Sequence, residues 1–304
     1  MTDLDANPKS MAGSGAGASA PSAPKPEGFS FWRWMRRDTR AALALTYLAI
    51  LVVAAILAPL LAPYSPTEQN VMNMLAEPSA EHWLGTDDLG RDTLSRLMYG
   101  AGNALYAASL AVGVAVLIGV PVGVFIGFVG GWIDEAMSRV IDAVLAFPPI
   151  VLAVAITGAL GIGLTNAMLA VGFAFAPYLA RTMRAQTLVV KGALYVDAAV
   201  GFGASRFHLI RKHILPNAIQ PVIVEVTLLL AVALLAEAGL SFLSLGVQAP
   251  EASWGGMLAR AYSYIEIAPA QMYAPGFAIL FTALAFNALG ESIRVLLDPT
   301  VKKI

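Results

Sequence analysis

Six stretches of this chain are long, apolar and nearly uncharged: Ala41 to about Ala62, Ala104 to Val129, Ala143 to Leu160, Leu164 to Ala180, Pro221 to Leu240 and Pro275 to Leu289. The only charged residues inside them are Glu225 and Glu237. A helix of about 17 to 25 residues crosses the hydrocarbon core, where lipid leaves backbone groups no partner outside their own helix. The chain therefore reads as an all-α polytopic membrane protein with six transmembrane helices. Composition agrees, since 58% of residues are hydrophobic, 13% are charged and the mean hydropathy is +0.71, whereas soluble domains carry about a quarter charged residues. Pro121 and the pair Pro148-Pro149 are expected to kink their spans without ending them, because neighbouring helices can re-satisfy the freed carbonyls. The fourth stretch contains Pro177, and the sixth is short and contains Asn287.

Six spans put both termini on one side, and the basic residues say which. With the N-terminus in the cytoplasm, inner segments hold all of the 19 Lys and Arg residues except Arg91, Arg96 and Arg260. The outer loops are correspondingly acidic, with Glu68, Glu77, Glu81, Asp87, Asp88, Asp92, Glu251 and Glu266. Three domains are expected: a tail over residues 1–40, a first helix with its outer loop over 41–103, and a core of five helices over 104–304. Residues 1–28 are rich in Ala, Gly, Ser and Pro, too polar and small to offset chain entropy by burial, so a disordered cytoplasmic tail is expected. Phe31 to Arg37 interleaves aromatic rings and arginines as an interfacial anchor does. The following apolar run exceeds the 7 to 15 residues of a cleaved signal core, so it is expected to be retained. The chain has no cysteine, which excludes disulfides and thiolate metal sites.

The segment from Arg181 to Asn217 is too long to be a plain connector between antiparallel helices, which takes about 2 to 8 residues. Arg184 to Ala199 contains no proline and one glycine, so the fourth span is expected to continue as helix beyond the membrane. Gly201 and Gly203 should end it, glycine being the residue that reaches left-handed dihedrals without strain. A second short helix fits Ala204 to His213, with Phe207, Ile210 and Ile214 on one face and Arg206, Arg211 and Lys212 around it. Pro216 should close that helix. An apolar stripe ringed by cations suits a partner's groove or anionic headgroups; periodicity alone leaves both open.

The same segment, Tyr195-Val-Asp197-Ala198-Ala199-Val-Gly201-Phe-Gly203 with Leu215-Pro216 placed after it, resembles the EAA loop of ABC-importer permeases. Asp197 stands where that pattern usually has glutamate, and His213 where a branched aliphatic is common. The segment from His82 to Gly100, which contains Gly85, Thr86, Asp87, Gly90, Arg91, Asp92, Ser95 and Arg96, is similar to the signature that precedes the second span in the second permease of dipeptide and oligopeptide importers. Glu237 to Pro250 is similar to a second signature of those permeases. Gly102 departs from it, arginine being more usual there.

The resemblance implies a permease subunit of the cytoplasmic membrane of a prokaryote, moving peptides by alternating access. It implies a second homologous permease, two cytoplasmic ATPase subunits or domains, and an extracytoplasmic substrate-binding protein as partners. Asp197, Ala198, Ala199, Gly203, Arg206, Phe207, Ile210, Leu215 and Pro216 would couple it to the ATPases, which hold the ATP and Mg; this chain would have no cofactor, no catalytic residue, no metal and no nucleic-acid partner. Residue by residue, Thr86 or Asp87 could cap a helix lying on the outer membrane face, with Asp92 and Arg96 as an i, i+4 pair. Trp83, Trp254 and Tyr262 read as interfacial anchors.

Glu225 and Glu237, with Glu291 near the inner end of the sixth span, invite a rival class, since a carboxylate at the bilayer centre costs about 2.5 to 3.5 kcal/mol on insertion scales and a proton-coupled carrier would use such groups as relays. That class predicts an internal repeat, and none stands out. Within the resemblance, Glu225 lines the translocation path or the contact with the second permease, and Glu237 supports an outer gate. An intramembrane enzyme is disfavoured by the lack of a His-Glu-x-x-His or Gly-x-Ser-x-Gly motif, and no Gly-rich loop ending in Gly-Lys-Ser/Thr is present to cradle ATP.

Overall fold

A computed structural model describes residues 38–297; the expected tail and anchor over residues 1–37, and the last residues 298–304, lie outside it. Among the described residues every regular element is helical. We number the helices α1 Thr39–Ile56, α2 Thr93–Val129, α3 Gly131–Leu145, α4 Pro149–Leu160, α5 Leu164–Lys191, α6 Leu194–Gly201, α7 Arg206–Phe242, α8 Trp254–Ser263 and α9 Tyr273–Leu297. A four-residue helical turn, Ala58–Leu61, follows α1.

Each of the six expected spans falls on helix. By length and hydropathy α1, α2, α7 and the segment Pro269–Leu297 are able to cross a membrane, and the pair α3 and α4 makes a fifth crossing if it is one broken span. The remaining expected span, the fourth, is α5, which is less apolar than the other five and is not among the helices that pass by length and hydropathy; its apolar part ends at Ala180 before Arg181, Arg184 and Lys191. It runs unbroken through Pro177 and on to Lys191, but it does not continue to Ala199 as expected: the single glycine of that stretch, Gly192, ends it and a separate helix starts at Leu194. Likewise α2 passes Pro121 without interruption.

The prolines at 148 and 149 behave differently. They end α3 at Leu145 and start α4 at Pro149, with an 88° bend between the two axes, so the third span is a corner and not a kinked rod. Two adjacent residues without N–H leave two rungs of the ladder unmade, and Pro149 pushes Pro148 into an extended conformation. At Pro216 the reverse correction applies. The expected closure is absent, because Ile210–Ile214 forms a π turn in which the Leu215 N–H reaches the Ile210 carbonyl, and the chain continues as helix to Phe242. A π turn carries one residue more per hydrogen bond, which gives a proline ring room inside a continuing helix.

The centre of the bundle is α5, packed on α2, α4 and α7. Met168, Val171, Phe175, Leu179 and Met183 of α5 are buried there with Ala108, Ala111, Ile214 and Val222. Its contact with α2 is backbone on backbone: a Cβ added at Gly119 or Gly123 would lie 2.5 Å from the carbonyl oxygen of Ala176 or Ala180 respectively, and one at Gly127 would lie 2.9 Å from that of Arg184. Both series advance by four residues, so one glycine face runs along one carbonyl row. A second core cluster joins α1, α7, α8 and α9 through Leu48, Leu234, Trp254, Ile279 and Phe286.

Two ends of the bundle follow from the connections. Lys191 Nζ donates to the Phe128 carbonyl at 2.6 Å, which puts the C-termini of α2 and α5 together with α6. The Gly163 N–H donates to the Leu245 carbonyl at 3.2 Å, which puts the start of α5 beside the end of α7.

Candidate functional site

At the first of these ends, α5 hands the chain to α6 across Gly192 and Ala193. Helix α6 closes in a Schellman motif: the Ala204 N–H donates to the Ala199 carbonyl at 3.0 Å and the Gly203 N–H to the Val200 carbonyl at 2.9 Å. Gly203 is the left-handed residue that the motif needs, with φ +81°. Gly201 is the last residue of α6 and has no positive φ, so one of the two glycines expected to end the helix makes the reversal. Ser205 then caps α7, accepting from the His208 N–H at 3.3 Å.

The reversal presents a projecting apolar surface. Leu194, Phe202 and Phe207 are 86%, 93% and 72% exposed, and Tyr195 and Val200 are about half exposed. Asp197, Ala198, Gly203, Arg206, Arg211, Lys212 and Pro216 are exposed around them, while Ala199, Ile210 and Leu215 are half-buried. Underneath, Val196, Leu209 and Ile214 are buried and fix the loop to the bundle. The expected apolar face of Phe207, Ile210 and Ile214 is therefore divided: the π turn rotates Ile214 into the core and leaves Phe207 outside. Leu194 and Phe202 were missed by periodicity because each sits at a helix end, where no repeat can accumulate.

A second feature had no local signal. Arg184 of α5 forms a forked pair with Asp134 of α3, Nε to Oδ1 at 2.5 Å and Nη2 to Oδ2 at 2.7 Å, and Arg181 reaches Asp142 at 2.5 Å. The helix that carries the projecting loop is thus clamped to the arm that turns into α4. Such pairs join residues 50 and 39 positions apart, invisible to any window-based reading.

The opposite end is closed by a packed cap. Thr86, Arg91, Asp92, Ser95 and Arg96 are all buried, and Gly85 and Gly90 take positive φ. A Cβ on Gly90 would sit 1.8 Å from the Asn70 carbonyl oxygen. The expected helix capped by Thr86 or Asp87 and resting on the membrane is not what forms. Thr86 instead pairs as an isolated antiparallel bridge with Asp92, and the helix begins at Thr93 with Asp92 as its cap, accepting from the Ser95 N–H at 2.8 Å and the Ser95 hydroxyl at 2.7 Å. Nor do Asp92 and Arg96 pair. Asp92 binds His82 Nδ1 at 2.9 Å, and Arg96 donates to the Pro66 carbonyl at 2.7 Å with its Nε 3.5 Å from Asp87. The carboxylate of Asp87 accepts from the N–H groups of Leu89 and Arg91 and from Arg91 Nε at 2.7 Å.

Trp254 corrects the expectation of an interfacial anchor. It is fully buried against Gly100 and donates through Nε1 to the Leu97 carbonyl at 3.0 Å. Trp83 and Tyr262 are exposed. Of the two carboxylates inside α7, Glu225 is half-buried and accepts a long hydrogen bond from the Thr182 hydroxyl, 3.4 Å. Glu237 is fully buried; its Oε1 accepts from the Ser241 hydroxyl at 2.8 Å, and Ser241 Oγ accepts from the Val247 N–H at 3.2 Å. These two acids are twelve positions apart on one helix and share no partner, so the structure does not bring them together.

Residues 119–303 match the family described as binding-protein-dependent transport system inner membrane component, and residues 29–78 match the N-terminal TM domain of oligopeptide transport permease C. The dipeptide transport system permease protein DppC of Alkalihalophilus pseudofirmus is 39% identical, over 93% of this chain and 95% of its own length. The glutathione transport system permease protein GsiD of Escherichia coli O157:H7 is 40% identical over 90% of each chain. A solved inward-facing structure of the MetNI methionine ABC transporter shares the fold, with a TM-score of 0.56 at 19% identity, covering 67% of this chain and 97% of that one. The chain belongs to the binding-protein-dependent inner membrane component family, as the membrane-spanning permease of an ABC importer whose ATPase is a separate subunit.

Proposed function

We propose that this chain is one of two permeases of an importer of di- or oligopeptides, and that the surface around α6 is where it meets the ATPases. The observation that carries this reading is the projecting apolar surface of Leu194, Phe202 and Phe207, held on a hydrogen-bonded reversal and ringed by Arg206, Arg211 and Lys212. Exposed aromatic and aliphatic side chains on a rigid turn suit insertion into a partner's groove. Asp197, Ala198, Ala199, Gly203, Arg206, Phe207, Ile210, Leu215 and Pro216 serve it in different ways: Gly203 and Ala199 make the turn, Ile210, Leu215 and Pro216 set the π turn that aims it, and Asp197, Ala198, Arg206 and Phe207 face the partner.

In this reading the α6 end and both termini lie in the cytoplasm, as the distribution of basic residues supports. Gly85, Thr86, Asp87, Gly90, Arg91, Asp92, Ser95 and Arg96 build a rigid outer cap facing the substrate-binding protein. ATP with Mg is bound by two ATPase subunits; closing them moves α6, and the pairs Arg184 to Asp134 and Arg181 to Asp142 carry that movement from α5 to the corner before α4. Glu225 borders the path at the α7 and α5 contact, and Glu237, through Ser241 and Val247, ties the end of α7 to the loop that follows. Moving a two-state population from 1:99 to 99:1 takes about 5.5 kcal/mol of differential binding, the scale of difference between states that the coupling contacts would supply for a full switch.

Peptide cargo is supported by the names of the relatives, which are dipeptide and glutathione permeases; glutathione is itself a small peptide. Uptake of radiolabelled dialanine by cells with this chain as their sole permease of its kind should be competed by other di- and tripeptides and not by free amino acids. Competition by methionine alone would overturn the assignment.

A further inference from the structure

Between the cap and the loop that follows α7 lies a cavity of about 320 Å³. Arg91, Arg96 and Arg260 all line it, with Ser244, Gln248 and Ser263 among the other walls. Arg91 and Arg96 are buried, which is unusual for arginine unless it is paired. Their counter-charges are short by one. Asp87 is shared, 2.6 Å from Arg91 Nη2 and 3.5 Å from Arg96 Nε, and Asp88 serves Arg260 at 3.0 Å while standing 3.9 Å from Arg91. Glu251 also lines the cavity, but it gives Arg96 only its backbone carbonyl, and its exposed carboxylate pairs with none of the three. The Arg96 Nε is buried with no hydrogen-bond partner among the described residues. Three guanidiniums held by two carboxylates, in a half-enclosed polar cavity, leave an unmet positive charge.

We propose that this cavity is an anion site that receives one carboxylate side chain from the docked substrate-binding protein. At about 320 Å³ it stands at the lower end of the range of small-molecule pockets, which gives room for an Asp or Glu side chain with its water. Guanidinium forks match carboxylates in a bidentate way, and buried, pre-positioned arginines lose little side-chain freedom on pairing. The cavity belongs to the cap, so a carboxylate seated here bears on Arg96, and Arg96 in turn holds the Pro66, Pro250 and Glu251 carbonyls at 2.7, 3.4 and 3.4 Å. Docking is thereby linked to the loop that continues from α7. The inference rests on the orientation proposed above.

The test is the affinity of the substrate-binding protein for the whole importer, this chain with its partner permease and ATPases, in nanodiscs. Arg260→Gln is the informative change, since Arg260 is the least buried of the three. It should weaken binding about tenfold or more and flatten its dependence on salt, while Arg260→Lys should recover part of the loss. Ser263→Asp places a carboxylate at the cavity wall without removing an arginine, and should weaken binding likewise even if the glutamine variant assembles poorly. Arg260→Glu should be rescued by changing one acidic residue of the binding protein to lysine. Affinities within twofold of the parent for both Arg260→Gln and Ser263→Asp would overturn the site, as would a loss with an unchanged salt slope. A reporter after Ala252 that signals cytoplasm would instead overturn the orientation, and so separates the two failures.

Discussion

Gly203 concentrates the local physics of the coupling surface in one backbone angle. Its φ of +81° lies where a side chain costs about 1 to 2 kcal/mol, and a Cβ added there would meet nothing within 4 Å. The cost of substitution is therefore conformational and not steric. Gly203→Asn should be tolerated, since asparagine enters the left-handed region more readily than other residues, while the β-branched side chain of Gly203→Val should open the Schellman turn and swing Phe202 and Phe207 out of register. We expect the valine variant to insert in the membrane, to lose uptake, and to bring down less ATPase on purification. Normal uptake by Gly203→Val would mean that the turn does not aim the docking surface. The glycine was legible in the sequence because few residue types enter such a turn, glycine most readily. The π turn seven positions on was not, because Ile210 to Ile214 has the composition of an ordinary helix and only the proline at 216 hints at its need.

Among the helices, α2 and α5 make the closest contact, and its sequence signal, glycine at 119, 123 and 127, is the small-residue spacing that lets backbones approach in lipid. A prediction separates packing from propensity on the same helix. Gly123→Val puts its Cβ where the Ala180 carbonyl stands, at 2.5 Å, and should cost about 1 to 3 kcal/mol or more by overpacking. Gly113, also in α2, has no atom within 4 Å of an added Cβ, so Gly113→Ala should be neutral or stabilise by about 0.5 to 1 kcal/mol. Thermal melting of the solubilised importer checks both, and equal effects would refute the close-packed face. Hydropathy marked α1, α2, α7, α9 and the pair α3 and α4 because the membrane requires length and apolarity of a span, and it was weakest for α5. It could not distinguish Pro121, which the helix carries without a break, from Pro148 and Pro149, which turn the chain through 88°. Nor could it show the cap, whose order comes from pairings such as Arg260 with Asp88, 172 positions apart.

For the whole chain, the questions are which way it faces and what drives it. Reporter fusions after Lys191 and Lys303 should signal cytoplasm, and one after Glu77 the outside; an external signal from Lys191 would invert the coupling surface and end its proposed role. The energy source is decided by Glu225, the half-buried carboxylate of α7, whose polar neighbour is the Thr182 hydroxyl at 3.4 Å. A proton relay needs a series of titratable groups within hydrogen-bond reach, and among the described residues Glu225 has none: Glu237 lies twelve positions on and binds Ser241. Glu225→Gln keeps size and hydrogen-bonding capacity while removing the titration. In proteoliposomes holding the assembled importer and its binding protein, uptake by this variant should persist with ATP and no pH gradient, at a changed rate if the carboxylate touches cargo. Uptake that follows an imposed gradient, and accumulation that ends with Glu225→Gln while binding survives, would make protons the driving force and leave the surface around Phe202 and Phe207 without a task.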